Sequence, residues 1–319
     1  MNKNRRILSL LSVISIILTF SIISVSASVT TIDDFTVNIN VSKQNLSIDE
    51  YNGNGGDIVI PDKLSGYYVD SISSRAFLNC ENITSITFPR YLYSIGSYAF
   101  SGCAGIDSIT INYATNIIEK YAFHNCSSLT TATINGNMTA ISDYTFYNCQ
   151  ALTDVVLPST MRVIYAGAFR GCTSLKNINI PNNVNTIGDY AFYNTGLESI
   201  IIGKNVTNIG ENAFGNCSEN LVISGYTGSV AEVYCAENNI NFYPLDLKYG
   251  DVNNDGKVNV KDATFLQKSI IKFENFEVAD GTRAFYAADV NGDNKLDITD
   301  CTTIMKYAVR AIKKFPVEQ

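Results

Sequence analysis

The chain has 319 residues, a length that predicts two domains, and 46% of them are hydrophobic, which is enough for a packed core. Its formal net charge is −7, and the sequence shows no stripe of basic residues that could bind phosphate groups. Both observations argue against nucleic acid as a partner. One histidine leaves little room for histidine-based catalysis, and the lack of tryptophan removes the residue that commonly stacks on sugars.

The first 27 residues are typical of a secretory signal peptide. Lys3, Arg5 and Arg6 form a basic start, and an apolar run follows from Ile7 to about Val25. The small residues Val25-Ser26-Ala27 then provide a cleavage site. Because the apolar run is long for a signal, an uncleaved membrane anchor is the alternative. Cleavage after Ala27 would give a secreted chain, and nothing later in the sequence is apolar enough to span a bilayer.

An internal repeat of 23 residues fills the middle of the chain. Its phenylalanine recurs at Phe77, Phe100, Phe123, Phe146, Phe169, Phe192 and Phe214, the last step being one residue shorter. An isoleucine stands five residues before each of them, at Ile72, Ile95, Ile118, Ile141, Ile164, Ile187 and Ile209. A cysteine stands three residues after six of them, at Cys80, Cys103, Cys126, Cys149, Cys172 and Cys217, and Thr195 takes this place in the short repeat.

A strand-like phrase, Leu-x-x-Ile-x-Ile, follows the cysteine. Its clearest copies are Leu129 to Ile134, Leu152 to Leu157 and Leu175 to Ile180, and their apolar residues alternate as in a half-buried strand. Proline ends several of these strands, at Pro89, Pro158 and Pro181. A single coil cannot bury its own apolar positions, so the repeat predicts a solenoid with a parallel sheet along one face.

The phrase Ile-x-x-x-Ala-Phe-x-x-Cys resembles the leucine-rich repeats of the BspA-like type, over roughly residues 46–245. Tyr51-x-Gly53 followed by Ile58-Val59-Ile60-Pro61 looks like an opening repeat. The stretch from Gly225 to Leu245 is interpreted as a cap, with a short helix after Ser229 to about Glu237 and a last strand from Ile240 to Tyr243. The expected fold class is α+β, with a leucine-rich-repeat solenoid over residues 28–245.

The cysteines allow two interpretations. Eight cysteines in a secreted chain suggest disulfides. Six of them, however, share one column, and stacked neighbours about 4.8 Å apart would make a poor disulfide torsion. We therefore favour buried free thiols that pack as small hydrophobic groups.

Two stretches near the C-terminus follow the ligand schedule of an EF-hand calcium loop. In the first, oxygen ligands fall at loop positions 1, 3, 5, 7, 9 and 12, which are Asp251, Asn253, Asp255, Lys257 (through its carbonyl), Asn259 and Asp262. In the second, the same six roles fall on Asp289, Asn291, Asp293, Lys295, Asp297 and Asp300. Gly256 permits the turn at position 6, and Asn294 replaces glycine there in the second copy. We expect two calcium ions; the alternative is two acidic surface loops.

Each loop is followed by an amphipathic pattern that predicts a helix, from about Val260 to Ile271 and from about Ile298 to Ile312. No helix is expected before the first loop. Loop then helix, twice, resembles a type I dockerin, over about residues 248–312, and residues 246–319 are expected to form that domain.

The resemblance implies a cohesin module of a scaffoldin as the partner, in a cellulosome-type complex. It also implies cohesin contacts at loop positions 10 and 11, which are Val260, Lys261, Ile298 and Thr299. Because the two pairs differ, we expect one binding orientation.

For the repeat domain we predict a secreted, non-catalytic binding or adhesion function, with a protein or a glycan as ligand. Its outward strand positions are small, polar and nearly uncharged: Ser108, Thr110, Thr131, Thr133, Asp154, Val156, Asn177, Asn179, Ser199 and Ile201. A polysaccharide-degrading hydrolase or lyase is the alternative, and a structural spacer is a third reading. Glycoside hydrolysis needs two carboxylates roughly 5 to 10 Å apart, and Asp154 is the only acidic residue in that set, so no catalytic residue is assigned.

Overall fold

Three antiparallel strands close the N-terminal end of the molecule. The computed structural model describes residues 28–272, 278 and 283–318, so the expected signal peptide lies outside the described residues. The strands are β1 (Ser28–Ile32), β2 (Phe35–Asn40) and β3 (Asn45–Tyr51). Phe35, Val37, Leu46 and Ile48 are buried on one face of this sheet. The sheet therefore covers the first coil of the solenoid, a cap that the repeat pattern did not predict.

Most coils of the solenoid contribute one strand to each of two sides, and the strands on one side are mostly the longer ones. The longer strands are β4 (Gly56–Val59), β7 (Ile83–Thr87), β9 (Ser108–Ile111), β11 (Thr131–Ile134), β13 (Asp154–Val156), β16 (Ser199–Ile201) and β18 (Val222–Gly225). The strands on the other side are β5 (Lys63–Leu64), β6 (Tyr67–Ile72), β8 (Ser94–Ile95), β10 (Ile117–Ile118), β12 (Ala140–Ile141), β14 (Val163–Ile164), β15 (Thr186–Ile187) and β17 (Asn208–Ile209).

Parallel ladders run along two sides of the solenoid. On the side of the longer strands, β4 pairs with β7, β9 with β11, and β11 with β13. On the other side, the chain of parallel pairs starts as β3-β6-β8-β10 and continues as β12-β14-β15-β17. The expectation of one parallel sheet along one face was therefore incomplete, because the isoleucine before each Phe also lies in a ladder.

The stretch from Leu175 to Ile180 is not a strand, although its sequence is one of the clearest copies of the strand phrase. Its side chains still alternate, with Ile178 and Ile180 buried and Asn177 and Asn179 exposed. Asparagine is depleted in strands because its amide competes for main-chain hydrogen bonds. The repeat thus keeps its apolar packing here but not its ladder.

A column of buried phenylalanines forms the core. Successive rings from Phe77 to Phe214 stack with centroid distances between 4.7 Å (Phe77 to Phe100) and 5.6 Å (Phe123 to Phe146). All seven are buried. The neighbouring rings supply the apolar contacts that a single coil lacks, so each coil is stable only in the stack.

The cysteine column reinforces the Phe column through main-chain contacts. The thiol of Cys103 donates to the Phe77 carbonyl at 3.0 Å, and that of Cys149 donates to the Phe123 carbonyl at 3.1 Å. All eight cysteines are free thiols in the structure. Five thiols of the column thus donate to a Phe carbonyl of the previous coil, those of Cys103, Cys126, Cys149, Cys172 and Cys217. Burial raises the pKa of Cys149 and of Cys172.

The C-terminal end of the solenoid is closed by helix α1 (Val230–Asn238) and strand β19 (Asn241–Pro244). Ser229 caps the helix by accepting from the Glu232 N–H, as expected from the sequence. The Tyr234 hydroxyl accepts the Phe214 N–H at 3.1 Å, and its ring meets that of Phe214 edge-on at 5.8 Å. The last ring of the Phe column is therefore covered.

A second, separate core lies near the C-terminus. It joins helices α2 (Val260–Ile270), α3 (Arg283–Ala288) and α4 (Ile298–Ala308), and a 3-10 turn follows at Pro316–Glu318. Its buried residues are Val252, Ala263, Leu266, Ala288, Val290, Cys301, Ile304 and Phe315. Within the described residues, no helix is long and apolar enough to cross a membrane.

Two helix predictions need correction in this region. Helix α4 ends at Ala308 rather than near Ile312, because Arg310 takes a left-handed conformation (φ 61°) that stops the helix. A helix, α3, also precedes the second loop, so loop then helix does not describe that copy fully. At six residues α3 is too short to show a helical period in the sequence.

Candidate calcium loops and repeat surface

The twelfth residue of each loop joins the loop to the helix that follows. Asp262 accepts N–H bonds from Asn253 (3.2 Å) and Asn259 (2.9 Å). Asn259 is the N-cap of α2, and its side chain in turn accepts from the Lys261 N–H at 2.9 Å. This reciprocal capping box satisfies N–H groups that would otherwise lack partners at the helix start.

The second loop is built in the same way. Asp300 accepts from the Val290 N–H (3.2 Å) and the Asp297 N–H (3.1 Å), and Asp297 caps α4. Both position-12 carboxylates are buried. The sequence placed these residues 38 positions apart, and the structure gives them the same local role.

The carboxylate of the first residue in each loop accepts hydrogen bonds from main-chain N–H groups of the turn. The two oxygens of Asp251 accept the N–H groups of Asp255 and Gly256, each at 3.1 Å. In the second loop, Asp289 accepts the N–H groups of Asp293 (3.2 Å) and Asn294 (3.0 Å). These bonds curl each loop back towards its first residue, as the turn of an EF-hand type loop requires.

Two positions in each loop have a left-handed backbone, and one is occupied by Asn and the other by Gly. The order of the Asn and the Gly is reversed between the two copies. In the first copy position 4 is Asn254 (φ 58°) and position 6 is Gly256 (φ 81°). In the second copy position 4 is Gly292 (φ 76°) and position 6 is Asn294 (φ 58°). Asparagine tolerates this region better than other side chains, so the expected turn at Asn294 is present. The requirement at position 4 was missed by the sequence analysis, although the Asn and Gly there are the signal for it.

The electrostatics of the loops suit a cation. Burial, with Asp251 and Asp255 nearby, raises the pKa of Asp262. Burial, with Asp289, Asp293 and Asp297 nearby, raises the pKa of Asp300 to about 6. A hard cation bound by oxygen atoms would relieve this repulsion, so the chemistry of the donor set fits calcium.

Carboxylates alone do not complete either site. Among the residues that the structure describes, no three His, Cys, Asp or Glu side chains lie close enough together to hold a metal ion. In the first loop the only carboxylates of the schedule are Asp251, Asp255 and Asp262, and the other donors are two asparagine side chains and the Lys257 carbonyl. A site of this type therefore depends on neutral oxygens as well as on charge.

The residues expected to contact a cohesin all lie on the surface. Val260, Lys261, Ile298 and Thr299 are exposed at the starts of α2 and α4. The two helices pack against each other and leave a groove of about 270 Å³ between them. The groove is lined by Ala263 and Gln267 of α2 and by Ile298, Cys301, Thr302, Met305, Lys306 and Val309 of α4. Most of its wall therefore comes from the second helix.

The outward strand positions of the solenoid face solvent as the sequence predicted, some fully and some in part. The acidic residues on or beside this face are bound to neighbours. The Asp154 carboxylate accepts from the Thr153 hydroxyl at 2.7 Å, and Glu198 pairs with Lys176 at 2.8 Å. The one histidine, His124, is half-buried, lies 3.1 Å from the Ser101 hydroxyl and stacks on Tyr147. Burial lowers its pKa.

The fold is thus a solenoid of the leucine-rich-repeat class with a small helical calcium-loop module at its C-terminal end. The family model of the BspA type leucine rich repeat region matches residues 51–164 and 139–224, in six copies. These ranges cover more than half of the chain, so the chain belongs to the BspA type leucine rich repeat family. Residues 249–308 match the model of the dockerin type I domain, and the chain therefore carries a C-terminal type I dockerin.

Solved structures with a similar fold are bacterial leucine-rich repeat proteins. One from T. pallidum is 24% identical, matches 68% of this chain and 98% of its own, and has a TM-score of 0.51. A leucine rich cell surface protein from Faecalibacterium prausnitzii is 25% identical and matches 63% of this chain and 55% of its own, with a TM-score of 0.46. The first likeness confirms the solenoid fold. No curated protein matches this chain significantly.

These assignments fix the broad role of each part. Type I dockerins bind calcium and attach their chain to a cohesin, the anchoring used in cellulosome-type complexes. Leucine-rich repeats of this type typically form non-catalytic binding scaffolds, and no enzyme domain is recognised in the chain. Proteins of both families are typically extracellular or on the cell surface.

Proposed function

We propose that this is a secreted, non-catalytic binding protein that is held on a scaffoldin by calcium-dependent binding of its dockerin to a cohesin. The observation that carries the proposal is the repetition of one loop geometry. The carboxylates of Asp251 and Asp289 accept the N–H group of the residue at loop position 6 in the same way. Asp262 and Asp300 both complete capping boxes. Two unrelated acidic loops would have no reason to share this network.

Each loop would hold one calcium ion through the oxygens of positions 1, 3, 5, 7, 9 and 12. When bound, the ion supplies the positive charge that the clustered carboxylates require. The chain's own contribution is to place the donors. Asp262 ties the first loop to α2 through Asn253 and Asn259, so the order of the loop and the order of the helix are coupled. Calcium binding is then expected to stabilise both helices.

The domain boundary proposed near residue 245 is supported by the two separate cores. The solenoid core ends with Cys235 and the partly buried Phe242, and the second core begins with Tyr249 and Val252. We therefore assign residues 1–27 to a signal peptide, residues 28–245 to the repeat domain and residues 246–319 to the dockerin.

The cohesin is proposed to bind in one orientation, because the two helices present different surfaces. Lys261 and Gln267 of α2 correspond to Thr299 and Met305 of α4. Met305 is exposed, so α4 presents an apolar side chain where α2 presents the amide of Gln267. If disabling the Val260–Lys261 pair and the Ile298–Thr299 pair weakened binding equally, the single orientation would be refuted.

The decisive experiment is calcium-dependent binding of the full chain to a panel of cohesins by calorimetry. We expect binding with calcium, and its loss in chelator and in the double variant Asp251→Ala, Asp289→Ala. A matched control, Asp107→Ala with Asp154→Ala, removes two carboxylates from the repeat face and should leave binding unchanged. Binding that persists in chelator, or that the control abolishes equally, would contradict the proposal.

The repeat domain is proposed to present its exposed sheet face to a protein or a glycan. Its support is the row of solvent-facing, nearly uncharged strand positions on a rigid stack. Release of reducing sugar from plant polysaccharides by the purified chain would contradict the non-catalytic assignment.

A further inference from the structure

A group of tyrosines interrupts the repeat pattern in the first three coils. The positions concerned lie ten, nine and seven residues before the recurring Phe. In the first coil they fall within β6, and in the other coils they fall in the turn that leads to the short strand. In the first three coils they hold five tyrosines: Tyr67, Tyr68, Tyr91, Tyr93 and Tyr113. In the next four coils the same positions hold Gly136, Asn137, Thr139, Ser159, Thr160, Arg162, Asn182, Asn183, Asn185, Lys204, Asn205 and Thr207.

Of the five rings, Tyr67 packs in part against the solenoid core, whereas the other four are exposed and packing does not require them. The coils are in register here, since the Tyr93 N–H donates to the Asp70 carbonyl and the Asn116 N–H donates to the Tyr93 carbonyl. Later coils keep the same turn with glycine or polar residues at these positions, including Arg162 and Lys204. A feature confined to one end of a repeat array, at positions that packing leaves free, points to a ligand.

The rings are exposed and available for contact. Tyr113 is 73% exposed, Tyr91 51%, Tyr93 52% and Tyr68 38%. Tyr68 and Tyr91 meet edge-to-face with centroids 5.0 Å apart, and the Lys63 ammonium lies 4.0 Å from the Tyr68 ring centroid. The open ring faces of this surface are therefore mainly those of Tyr91, Tyr93 and Tyr113. The position after Tyr91 in its column is Ala114, and the position after Tyr113 is Gly136, so no larger side chain follows either ring in its own column.

Another tyrosine row on the same solenoid shows the contrast. Tyr98, Tyr121 and Tyr144 stack with centroids 4.7 and 4.9 Å apart and planes within 6°. Both faces of Tyr121 are therefore covered by its neighbours, and this row is explained by its own stacking. Tyr68, Tyr91, Tyr93 and Tyr113 do not form such a parallel stack.

A shallow groove with a mixed polar and apolar lining begins at the Tyr113 ring and continues along the next two coils. Its volume is about 280 Å³. Its polar lining comes from Asn135, Asn137, Ser159 and Thr160, its apolar lining from Ile134, Val156, Leu157 and Pro158, and it contains no charged residue. Aromatic rings at one end thus lead into a groove that offers neutral amides and hydroxyls.

We propose that this surface, Tyr68, Tyr91, Tyr93 and Tyr113 together with the groove beyond Tyr113, binds a neutral polysaccharide chain. A sugar ring has an apolar C–H face that packs on an aromatic ring and a rim of hydroxyls that pairs with amides and hydroxyls. The nearby charges balance, because Arg90 pairs with Asp62 at 2.7 Å, Lys63 lies over Tyr68 at 4.0 Å, and Asp70 accepts from Asn45. An acidic polysaccharide therefore gains no net attraction here.

The inference deepens the proposed binding role of the repeat domain and names its site and ligand class. The test is affinity electrophoresis of the full chain in gels that contain hydroxyethyl cellulose, arabinoxylan or galactomannan, with polygalacturonate as the anionic probe. We expect retardation by at least one neutral polysaccharide and none by polygalacturonate. Tyr91→Ala with Tyr113→Ala should weaken the affinity by about tenfold or more.

Two further variants make the result specific. Tyr165→Ala removes a tyrosine of similar exposure (47%) outside the surface and should leave retardation unchanged. Tyr113→Phe keeps the ring and should retain most of the binding. All these positions are substantially exposed, so the thermal midpoints should stay close to that of the parent chain.

The outcomes separate this inference from the anchoring function. If none of the three neutral polysaccharides retards the chain, as would happen if the tyrosines received a protein, the inference is overturned. It is also overturned if Tyr165→Ala has the same effect as the double variant. Cohesin binding measured on the same samples reports independently on the dockerin, and a chain that binds cohesin but no polysaccharide would refute this inference alone.

Discussion

Replacing Gly256 with alanine should weaken calcium binding through the backbone alone. Gly256 has φ 81°, and a Cβ added there would meet no atom within 4 Å, so the substitution creates no clash. A non-glycine residue in the left-handed region costs about 1–2 kcal/mol, and loss of glycine restricts the unfolded chain by about 0.4–1 kcal/mol, which offsets part of this. The net cost, about 0.8 kcal/mol from the middle of both ranges and at most about 1.6 kcal/mol, corresponds to calcium affinity lowered by about fourfold and at most about fifteenfold.

Gly256→Asn should cost less than Gly256→Ala, because Asn294 already occupies the equivalent position of the second loop at φ 58°. Gly250→Ala should cost more than either, since its Cβ would lie 2.5 Å from the Phe315 ring. The assay is calorimetric titration with calcium, together with helical circular dichroism as a function of free calcium. Lys257→Ala serves as a control, because only the carbonyl of that residue is a ligand. Equal affinities for the alanine and asparagine variants at position 256, or no loss in either, would refute the reasoning.

Three further predictions concern the solenoid. Phe146→Ala removes a buried ring stacked on both sides, at 5.6 and 5.5 Å, and should lower the free energy of unfolding in urea by about 3–5 kcal/mol; an effect below about 1 kcal/mol would contradict this. Because burial raises the pKa of Cys149 and Cys172, thiol reagents at pH 8 should label the half-buried Cys80 and Cys217 first, and uniform labelling of the native chain would refute the buried thiol column. Burial lowers the pKa of His124, so the stability contributed by the neutral His124 ring is present above about pH 6.5 and is lost as the pH falls through the lowered pKa. The thermal midpoint, measured with calcium present, should therefore fall less below pH 6.5 in His124→Tyr than in the parent chain. Identical pH profiles of the two proteins would contradict this prediction.

Much of the fold was predictable because each coil repeats the same packing problem. The period of 23 residues placed Phe146 and its equivalents in one column before any coordinates were known, and the structure stacks them. The calcium loops were predictable for a similar reason, since a hard cation requires oxygen donors at fixed spacing. Their shared hydrogen-bond network around Asp251 and Asp289 agrees with that schedule.

Features that depend on local competition were not predictable in the same way. The strand phrase ending at Ile180 matches its sister copies, yet asparagines at 177 and 179 leave it outside the ladder. Helix α4 stops at Ala308 because Arg310 takes a left-handed conformation, although the apolar period continues to Ile312. In both places a periodic pattern shows which side chains are buried but not which main-chain bonds form.

The sequence by itself determined the two-module organisation, the apolar columns of the solenoid and the candidate ligands of the dockerin loops. These follow from periodicity and spacing, which are properties of the chain read in order. Only the tertiary structure decided which tyrosines face each other and which face solvent. Tyr121 and Tyr113 are equally aromatic in the sequence, but stacking covers the first, whereas the second is left 73% exposed beside a shallow groove. Exposure of a ring depends on the residues one coil above and below it, and that neighbourhood exists only once the coils are stacked.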